Sequence, residues 1–311
     1  MTLRVTQQSA MRAALSSARR ASENLAVAQE QLATSRRINR LSDAPLDAAR
    51  AHRVRAQTSK FEQHKRNLEQ AQHEIEYAAS TLQDASDIFV EAREICIRAA
   101  DSATDPTARQ AMAFTVDGLI DTLLRRANAQ YNGRYVFAGT ANDTQPYAEQ
   151  YDDGRIASVG YEGSRTCAAL DVGPRARVET GEAGPSVFGE PGSEADAFAA
   201  LIELRDLLRN DAELSEGELA QALTDHIERV TEVHDQAIDA ASRLGWRSTQ
   251  LEYTRTTIDD ATLRNAELTS TLEDADITAA AGALYRQEAA LQAALIVAAR
   301  LMKNTLLEYL E

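Results

Sequence analysis

The strongest pattern in the chain is a heptad repeat of apolar residues in its first third. Large residues recur every seven positions, and an alanine stands three positions after each of them. The large positions are Leu68, Ile75, Leu82, Phe89 and Cys96, and the small ones are Ala71, Ala78, Ala85, Ala92 and Ala99. Because both sets fall on one face of a helix, the repeat predicts a long helix that approaches a partner helix closely.

A second heptad repeat, in the last third of the chain, predicts the partner helix. Its core positions are Leu223, Val230, Ala237, Leu244, Leu251, Ile258, Asn265 and Leu272. At ~1.5 Å per residue, such a helix is about 75 Å long, which no compact globule needs. We therefore predict a mainly α protein, in which both arms form a long antiparallel helical rod or coiled coil with a small β-rich insertion in the middle.

The middle of the chain is marked by glycine and proline. Ten of the 14 glycines and four of the six prolines fall between Gly133 and Gly192. Asp153-Gly154 is typical of a hairpin turn, and short strands are predicted at 134–138, 150–151, 156–161, 166–172 and 176–179. A helix with Asp105 as N-cap and Pro106 at its first position is predicted to end at Asn132-Gly133, and another at 194–209.

Apolar stripes at the two ends of the chain predict a pair of terminal helices. The stripes include Met11, Leu15, Leu25 and Leu32 near the start, and Leu284, Leu291, Leu295 and Met302 near the finish. Residues 1–60 hold 11 Lys and Arg against four acids, and residues 250–311 hold five against ten. These opposite charges favour pairing of the two ends, although each exposed ion pair contributes only ~0.2–1 kcal/mol.

Composition and charge exclude several classes of protein. The 311 residues carry a net charge of −15, which argues against a general nucleic-acid-binding protein. Two cysteines make no disulfide framework, and no apolar run of about 18 residues predicts a membrane span. The first 25 residues lack the uninterrupted apolar core of a cleaved signal peptide, so we expect any export to follow another route.

Side chains that could support catalysis or bind a cofactor form no recognisable site. The five histidines show neither Glu-x-x-His nor HExxH spacing, and we predict no metal, cofactor or catalytic residue. The repeat position of Cys96 predicts a buried apolar residue. An arginine cluster comprises Arg36, Arg37, Arg40, Arg50, Arg53 and Arg55. It could contact phosphate, but the acidic balance of the chain favours a basic helix face that pairs with acidic partner helices.

Three motifs resemble bacterial flagellins and the hook–filament junction proteins related to them. Residues 31–45, QLATSRRINRLSDAP, are similar to the N-terminal signature of this family, with Asn39, Ser42, Asp43 and Pro45 among the matching positions. Residues 132–140, NGRYVFAGT, are similar to a motif of the FlgL-type junction proteins; the matching residues are Asn132, Gly133, Arg134, Tyr135, Phe137 and Gly139. Residues 273–276 and 287–294 fit the family's C-terminal region.

The resemblance implies a structural role without enzymatic activity. It implies a terminal coiled-coil assembly domain (1–42 with 270–311), a helical rod domain (43–140 with 195–269) and an outer β-rich insertion (141–194). It also implies an extracellular subunit of the flagellum, exported unfolded and ordered on assembly, that forms the ring between hook-associated protein and filament. A short flagellin and, in a different class, a cytoplasmic coiled-coil binding module remain alternatives.

The resemblance also implies the partners. These are copies of the same chain in a ring, a FlgK-type hook-associated protein, flagellin, a FlgN-type export chaperone and the flagellar type III export apparatus. Neither nucleic acid nor a membrane is among the expected partners.

Overall fold

The structure, a computed structural model, describes residues 2–101, 105–173 and 176–310, with side chains described outside 2–8, 10 and 301–310. Seven helices and six strands lie in these ranges. The helices are α1 Thr2–Thr34, α2 Pro45–Ala99, α3 Pro106–Ala127, α4 Gly184–Phe188, α5 Ala197–Arg209, α6 Glu216–Glu273 and α7 Ile277–Leu310. The strands are β1 Gln130–Tyr131, β2 Arg134–Tyr135, β3 Tyr147–Asp152, β4 Arg155–Tyr161, β5 Ala169–Gly173 and β6 Ala176–Glu179. The predicted fold class, mainly α with a small β-rich insertion, is confirmed.

The chain divides into two compact units. One unit comprises residues 1–60 and 260–311, and the other comprises residues 61–259. We predicted domain boundaries at residues 42 and 270, which lie close to breaks between helices, at 35–44 and 274–276. The two compact units divide inside α2 and α6, because each of these long helices contributes residues to both units, and the predicted domain boundaries stay a prediction.

The terminal unit is built on the packing of α1 against α7. Small residues lie at the centre of this contact: Ala14, Ala18, Ala21 and Ala28 on α1, and Ala280 and Ala298 on α7, are all buried. Of the larger residues on the predicted stripes, Met11, Leu25, Leu32, Leu284 and Leu291 are half-buried. The side chain of Met302 lies outside those described. Alanine at the contact lets the two backbones approach closely, while the longer side chains cover its margins.

Two residues of the predicted stripes lie beside the contact between α1 and α7. Leu15 and Leu295 are each 53% exposed. Leu15 lies one position after buried Ala14, and Leu295 one position after half-buried Ala294, so each projects beside the contact and not into it. The sequence pattern gave both positions to the stripe because leucine is the more apolar residue of each pair.

The central unit contains the two long heptad repeats. The large and small positions of the repeat on α2, from Leu68 to Ala99, are all buried. On α6 the positions Leu223, Val230, Ala237, Leu244, Leu251 and Ile258 are buried as well. Polar contacts join Lys65 to Asp259, Gln72 to Ser248 and Ser86 to His234 at 2.9–3.0 Å. Residue numbers rise on α2 as they fall on α6, so the two helices are antiparallel.

Helix α3 differs from its prediction at its end. It begins at Pro106 with Asp105 in the N-cap position, although the Asp105 side chain caps no backbone N–H. It ends at Ala127 and not at Asn132-Gly133, which instead form the turn between β1 and β2. The reason lies in Asn128, whose side-chain amide exchanges two hydrogen bonds with the backbone of Tyr147, at 2.9 and 3.0 Å. This contact ties the helix end to β3.

The β-rich segment consists of three antiparallel two-stranded hairpins, β1–β2, β3–β4 and β5–β6. The predicted turn at Asp153-Gly154 joins β3 to β4, with φ values of 46° and 75° that the mirror-image turn of a hairpin requires. Strand β6 has its predicted bounds. The predicted strand at 134–138 shrinks to two residues, because Val136 begins a chain of tight turns that buries Phe137.

Candidate assembly elements

Segments 35–44 and 274–276, which interrupt the helices of the terminal unit, form one joint. Arg36 and Asp274 make an antiparallel bridge. The backbone N–H of Arg37 donates to the carbonyl of Glu273 at 2.7 Å, and that of Ala275 donates to the carbonyl of Ser35 at 3.0 Å. Two helix ends would otherwise leave backbone N–H and C=O groups unpaired. Here such groups form hydrogen bonds between chain segments that are more than 200 residues apart.

Two arginines of the predicted cluster bind residues of this joint through their side chains. The guanidinium of Arg37 donates to the carbonyl of Leu272 at 2.6 Å and to the carboxylate of Asp47 at 3.1 Å. Arg55 pairs with Glu273, whose side chain is only 6% exposed. A buried carboxylate depends on such a partner, because removing the cation leaves an uncompensated charge. Arg37 and Arg55 therefore hold the joint together.

The N-terminal family motif shapes the loop between α1 and α2. One oxygen of Asp43 accepts the backbone N–H groups of Asn39 and Arg40 at 3.1 and 2.8 Å. Hydrogen bonding, chiefly from the Arg40 backbone, lowers the pKa of this carboxyl below its ordinary value. Ser42 donates to the other oxygen at 3.4 Å, and Pro45 opens α2 at a position that needs no N–H. All four motif residues thus belong to one connection.

The terminal helix pair exposes many large apolar side chains. Besides Leu15 and Leu295, the side chains at least about half exposed are those of Val27, Ile277, Tyr285, Ile296 and Val297. Soluble monomers expose single apolar residues routinely, but extended apolar faces mark surfaces that another chain covers. Among the described side chains of the terminal unit, these exposed apolar residues are the clearest interaction feature.

The central motif, 132–140, is an internal structural element of the β-rich segment. Asn132 and Gly133 take φ values of 51° and 76° in the turn of β1–β2. Gly139 takes a φ of 63°, and a Cβ atom there would lie 2.2 Å from the carbonyl oxygen of Ser164. The motif therefore needs glycine at residue 139 for both conformation and space. Arg134 is exposed and Tyr135 half-buried on the short strand between these turns.

Phe137 anchors this motif in an aromatic cluster that the sequence pattern did not reveal. Its ring is fully buried and meets Phe188 edge to face, with ring centroids 5.3 Å apart. Tyr147 contacts Phe188, Phe198 and Tyr161 at 5.1–5.7 Å. The Phe137 carbonyl accepts the Tyr161 hydroxyl at 3.0 Å. No periodic spacing links these aromatic residues, so the sequence motif identifies Phe137 but not its partners in the cluster.

The described residues offer little for catalysis. Among them, no group of three His, Cys, Asp or Glu side chains could hold a metal ion. Burial raises the pKa of Cys96 to about 12, and burial followed by the nearby carboxylates of Glu179 and Glu182 raises that of Cys167 to about 11. Both thiols are protonated at neutral pH and are poor nucleophiles. Within the same ranges, no helix combines the length and the apolar character that crossing a membrane requires.

Comparison with known proteins brings these features together. Residues 5–142 match the family described as the bacterial flagellin N-terminal helical region. The chain is 26% identical over 288 residues to flagellar hook-associated protein 3 of Escherichia coli (strain K12), which covers 85% of this chain and 86% of that protein.

Solved structures share the fold. One is flagellar hook-associated protein 3 from Legionella pneumophila, with a TM-score of 0.63 at 16% identity over 71% of this chain and 98% of that one. A putative flagellar hook-associated protein from Vibrio parahaemolyticus gives 0.63 at 16% identity, over 75% and 100% of the two chains. FlgL of Xanthomonas campestris gives 0.59 at 15% identity, over 71% and 99%. Over residues 5–142 the chain thus resembles the bacterial flagellin family, and along most of its length it is similar to flagellar hook-associated protein 3.

Proposed function

We propose that this chain is a structural subunit of the bacterial flagellum that forms the junction ring between a FlgK-type hook-associated protein and the flagellin filament. The observation that carries the proposal is the match along both arms to a protein named for its association with the hook. The proposal assigns no catalysis to the chain. A short flagellin is the less favoured alternative, because the named relatives are junction-type proteins.

The terminal unit supplies the assembly surface in this proposal. Its two helices pack through alanine and leave large aliphatic side chains beside the contact, where neighbouring subunits would cover them. An isolated pair of this kind is marginally stable, so we propose that it orders fully only within the assembly. Packing between subunits would then supply the burial that the single chain lacks.

Export through the flagellum completes the proposal. The chain would pass unfolded through the flagellar type III export apparatus to the cell exterior. A FlgN-type chaperone would cover the apolar face of α7 beforehand, because an amphipathic helix presents anchors at i, i+3, i+4 and i+7 to a partner groove. The identities of the chaperone and of the export apparatus are both part of the proposal.

A strain that lacks the gene tests the proposal directly. We expect electron microscopy to show hooks without filaments and an assay of the medium to find shed monomeric flagellin. Hooks without filaments and without shed flagellin would identify the chain as the filament subunit itself. Normal filaments would refute both roles.

Limited proteolysis separates the assembly role from that of a cytoplasmic binding module. An unassembled junction subunit should lose residues 1–40 and 275–311 rapidly, since its terminal pair lacks neighbours. A module that works as a monomer should keep its ends. Protection of both ends in the purified monomer would contradict the proposed ordering on assembly.

A further inference from the structure

Three cations on α2 form a stripe that the chain leaves almost unpaired. Arg50, Arg53 and Lys60, the basic stripe, are exposed and lie within about 80° of one another around the helix, at 3.6 residues per turn. Arg53 and Lys60 have no acidic partner among the described residues, and Arg50 has only Asp47, 3.8 Å away. Leu46, one turn before Arg50, is 62% exposed on the same side.

Four acids on α6 form an exposed stripe of the opposite sign. The acidic stripe consists of Glu228, Glu232, Asp235 and Asp239, which lie within about 60° of one another around the helix. Within the described ranges none has a Lys or Arg partner, and Asp235 has only the imidazole of His234 at 3.8 Å. Glu194 borders the same shallow depression, whereas Arg243 at its end is paired with buried Glu182.

The acidic stripe continues into two exposed aromatic side chains. Trp246, the only tryptophan of the chain, is 66% exposed, and Tyr253 is 77% exposed. Both continue the acidic stripe along the same side of α6, seven residues apart. Tryptophan and tyrosine dominate the binding energy of many protein interfaces and are seldom left so exposed without a partner.

The two stripes are opposite in sign and similar in length. At ~1.5 Å per residue, Arg50 and Lys60 are about 15 Å apart along α2, and Glu228 and Asp239 are about 16 Å apart along α6. If the helices were laid antiparallel with Arg50 opposite Asp239, Lys60 would lie beside Glu228. The same alignment would bring Leu46 to the end of the contact where the tryptophan lies.

We propose that the basic stripe of one subunit binds the acidic stripe of a second copy of this chain. The inference rests on the proposed ring and names the surfaces that would join neighbouring subunits in it. Charge complementarity identifies the occupant, because each stripe supplies the counter-charges that the other lacks. The contact joins different patches on the two copies, and such a heterologous contact builds rings or helical arrays and not closed dimers.

Charge reversal tests the pairing in the complemented deletion strain. The basic variant is Arg50→Glu with Arg53→Glu, the acidic variant is Glu232→Arg with Asp239→Arg, and a third protein carries all four changes. We expect each double variant to reduce the number of filament-bearing hooks about tenfold or more, because like charges then face each other across the contact. The fourfold variant should recover most of the loss.

The control variant carries Glu62→Arg and Glu69→Arg. Both glutamates are exposed on a different face of α2, and together they change the net charge as much as the acidic variant does. This control should form filaments normally. Circular dichroism of each purified protein verifies that the helices remain folded.

The outcomes separate failure of the inference from failure of the proposed function. Normal filaments with either folded double variant would overturn the pairing, while wild-type rescue of the deletion strain would still support the junction role. A folded fourfold variant that recovers nothing would overturn the pairing in the same way. Hooks that carry the variant subunit in wild-type amounts, seen by immunogold, but grow no filament would assign the stripe to another protein and also overturn the pairing.

Discussion

Replacing Gly139 with alanine should destabilise the central unit well beyond the cost of its backbone conformation. The φ of 63° alone costs a non-glycine residue about 1–2 kcal/mol. The added Cβ would also lie 2.2 Å from the Ser164 carbonyl oxygen and 2.6 Å from that of Thr166, both of them backbone atoms. To relieve this clash, the backbone must move and break two hydrogen bonds. One runs from the Ser164 N–H to the Ala138 carbonyl, and the other from the Thr140 N–H to the Thr166 carbonyl. At about 0.5–1.5 kcal/mol each, their loss brings the total to about 2–5 kcal/mol.

Gly133→Ala is the matched control, because it has the same left-handed backbone without the clash. Its φ is 76°, and no atom lies within 4 Å of the position that a Cβ would take. We expect this control to lose only the conformational cost, about 1–2 kcal/mol. Urea unfolding of both full-length variants, followed by circular dichroism, measures the difference. Equal losses in the two variants would refute the argument that Gly139 is required for space.

Three further changes test other parts of the structure. In urea titrations, Phe137→Ala should lower the free energy of unfolding by about 3–5 kcal/mol, because it removes a buried ring from the aromatic cluster. Phe114→Ala, at a side chain that is 78% exposed, should change the free energy of unfolding by less than about 0.5 kcal/mol. Burial lowers the pKa of His226, so its imidazole binds a proton more readily in the unfolded chain than in the folded one. In unfolding titrations at several pH values, the free energy of unfolding should therefore fall as the pH drops through 6.5, and it should fall less in His226→Gln. Leu15→Asp with Leu295→Asp should leave the monomer's helix content unchanged but abolish filament formation, and filaments at wild-type frequency would remove these residues from the assembly surface.

Helix content and pairing direction follow from the sequence because they depend on local periodicity. The repeat from Leu68 to Ala99 puts ten apolar residues on one face, and no other arrangement of α2 would bury them together. The terminal stripes show the limit of the method. Where alanine and leucine are neighbours, hydrophobicity favours the leucine, but close helix packing places the alanine at the centre of the contact.

The contacts of the joint could not be predicted from the sequence because they join distant parts of the chain. The Arg55–Glu273 pair joins residues 218 positions apart, and nothing in the local sequence of either residue specifies the other. Asn132-Gly133 is a signal that ends helices and also turns hairpins. Only the contact of Asn128 with Tyr147 decides between these outcomes, and it ends α3 four residues before the turn begins.

The joint of segments 35–44 and 274–276 also sets an order of events in time. Its two halves come from opposite ends of the chain, so a chain that emerges N-terminus first presents Arg37 long before Glu273 and Ala275. In the proposed export, the central unit, which ends at residue 259, would have all of its residues outside before the terminal unit has its own. The terminal unit would therefore close last, once the segment that carries Glu273 and Ala275 has followed. A subunit built in this way would keep its proposed assembly surface incomplete until both halves of the joint have arrived.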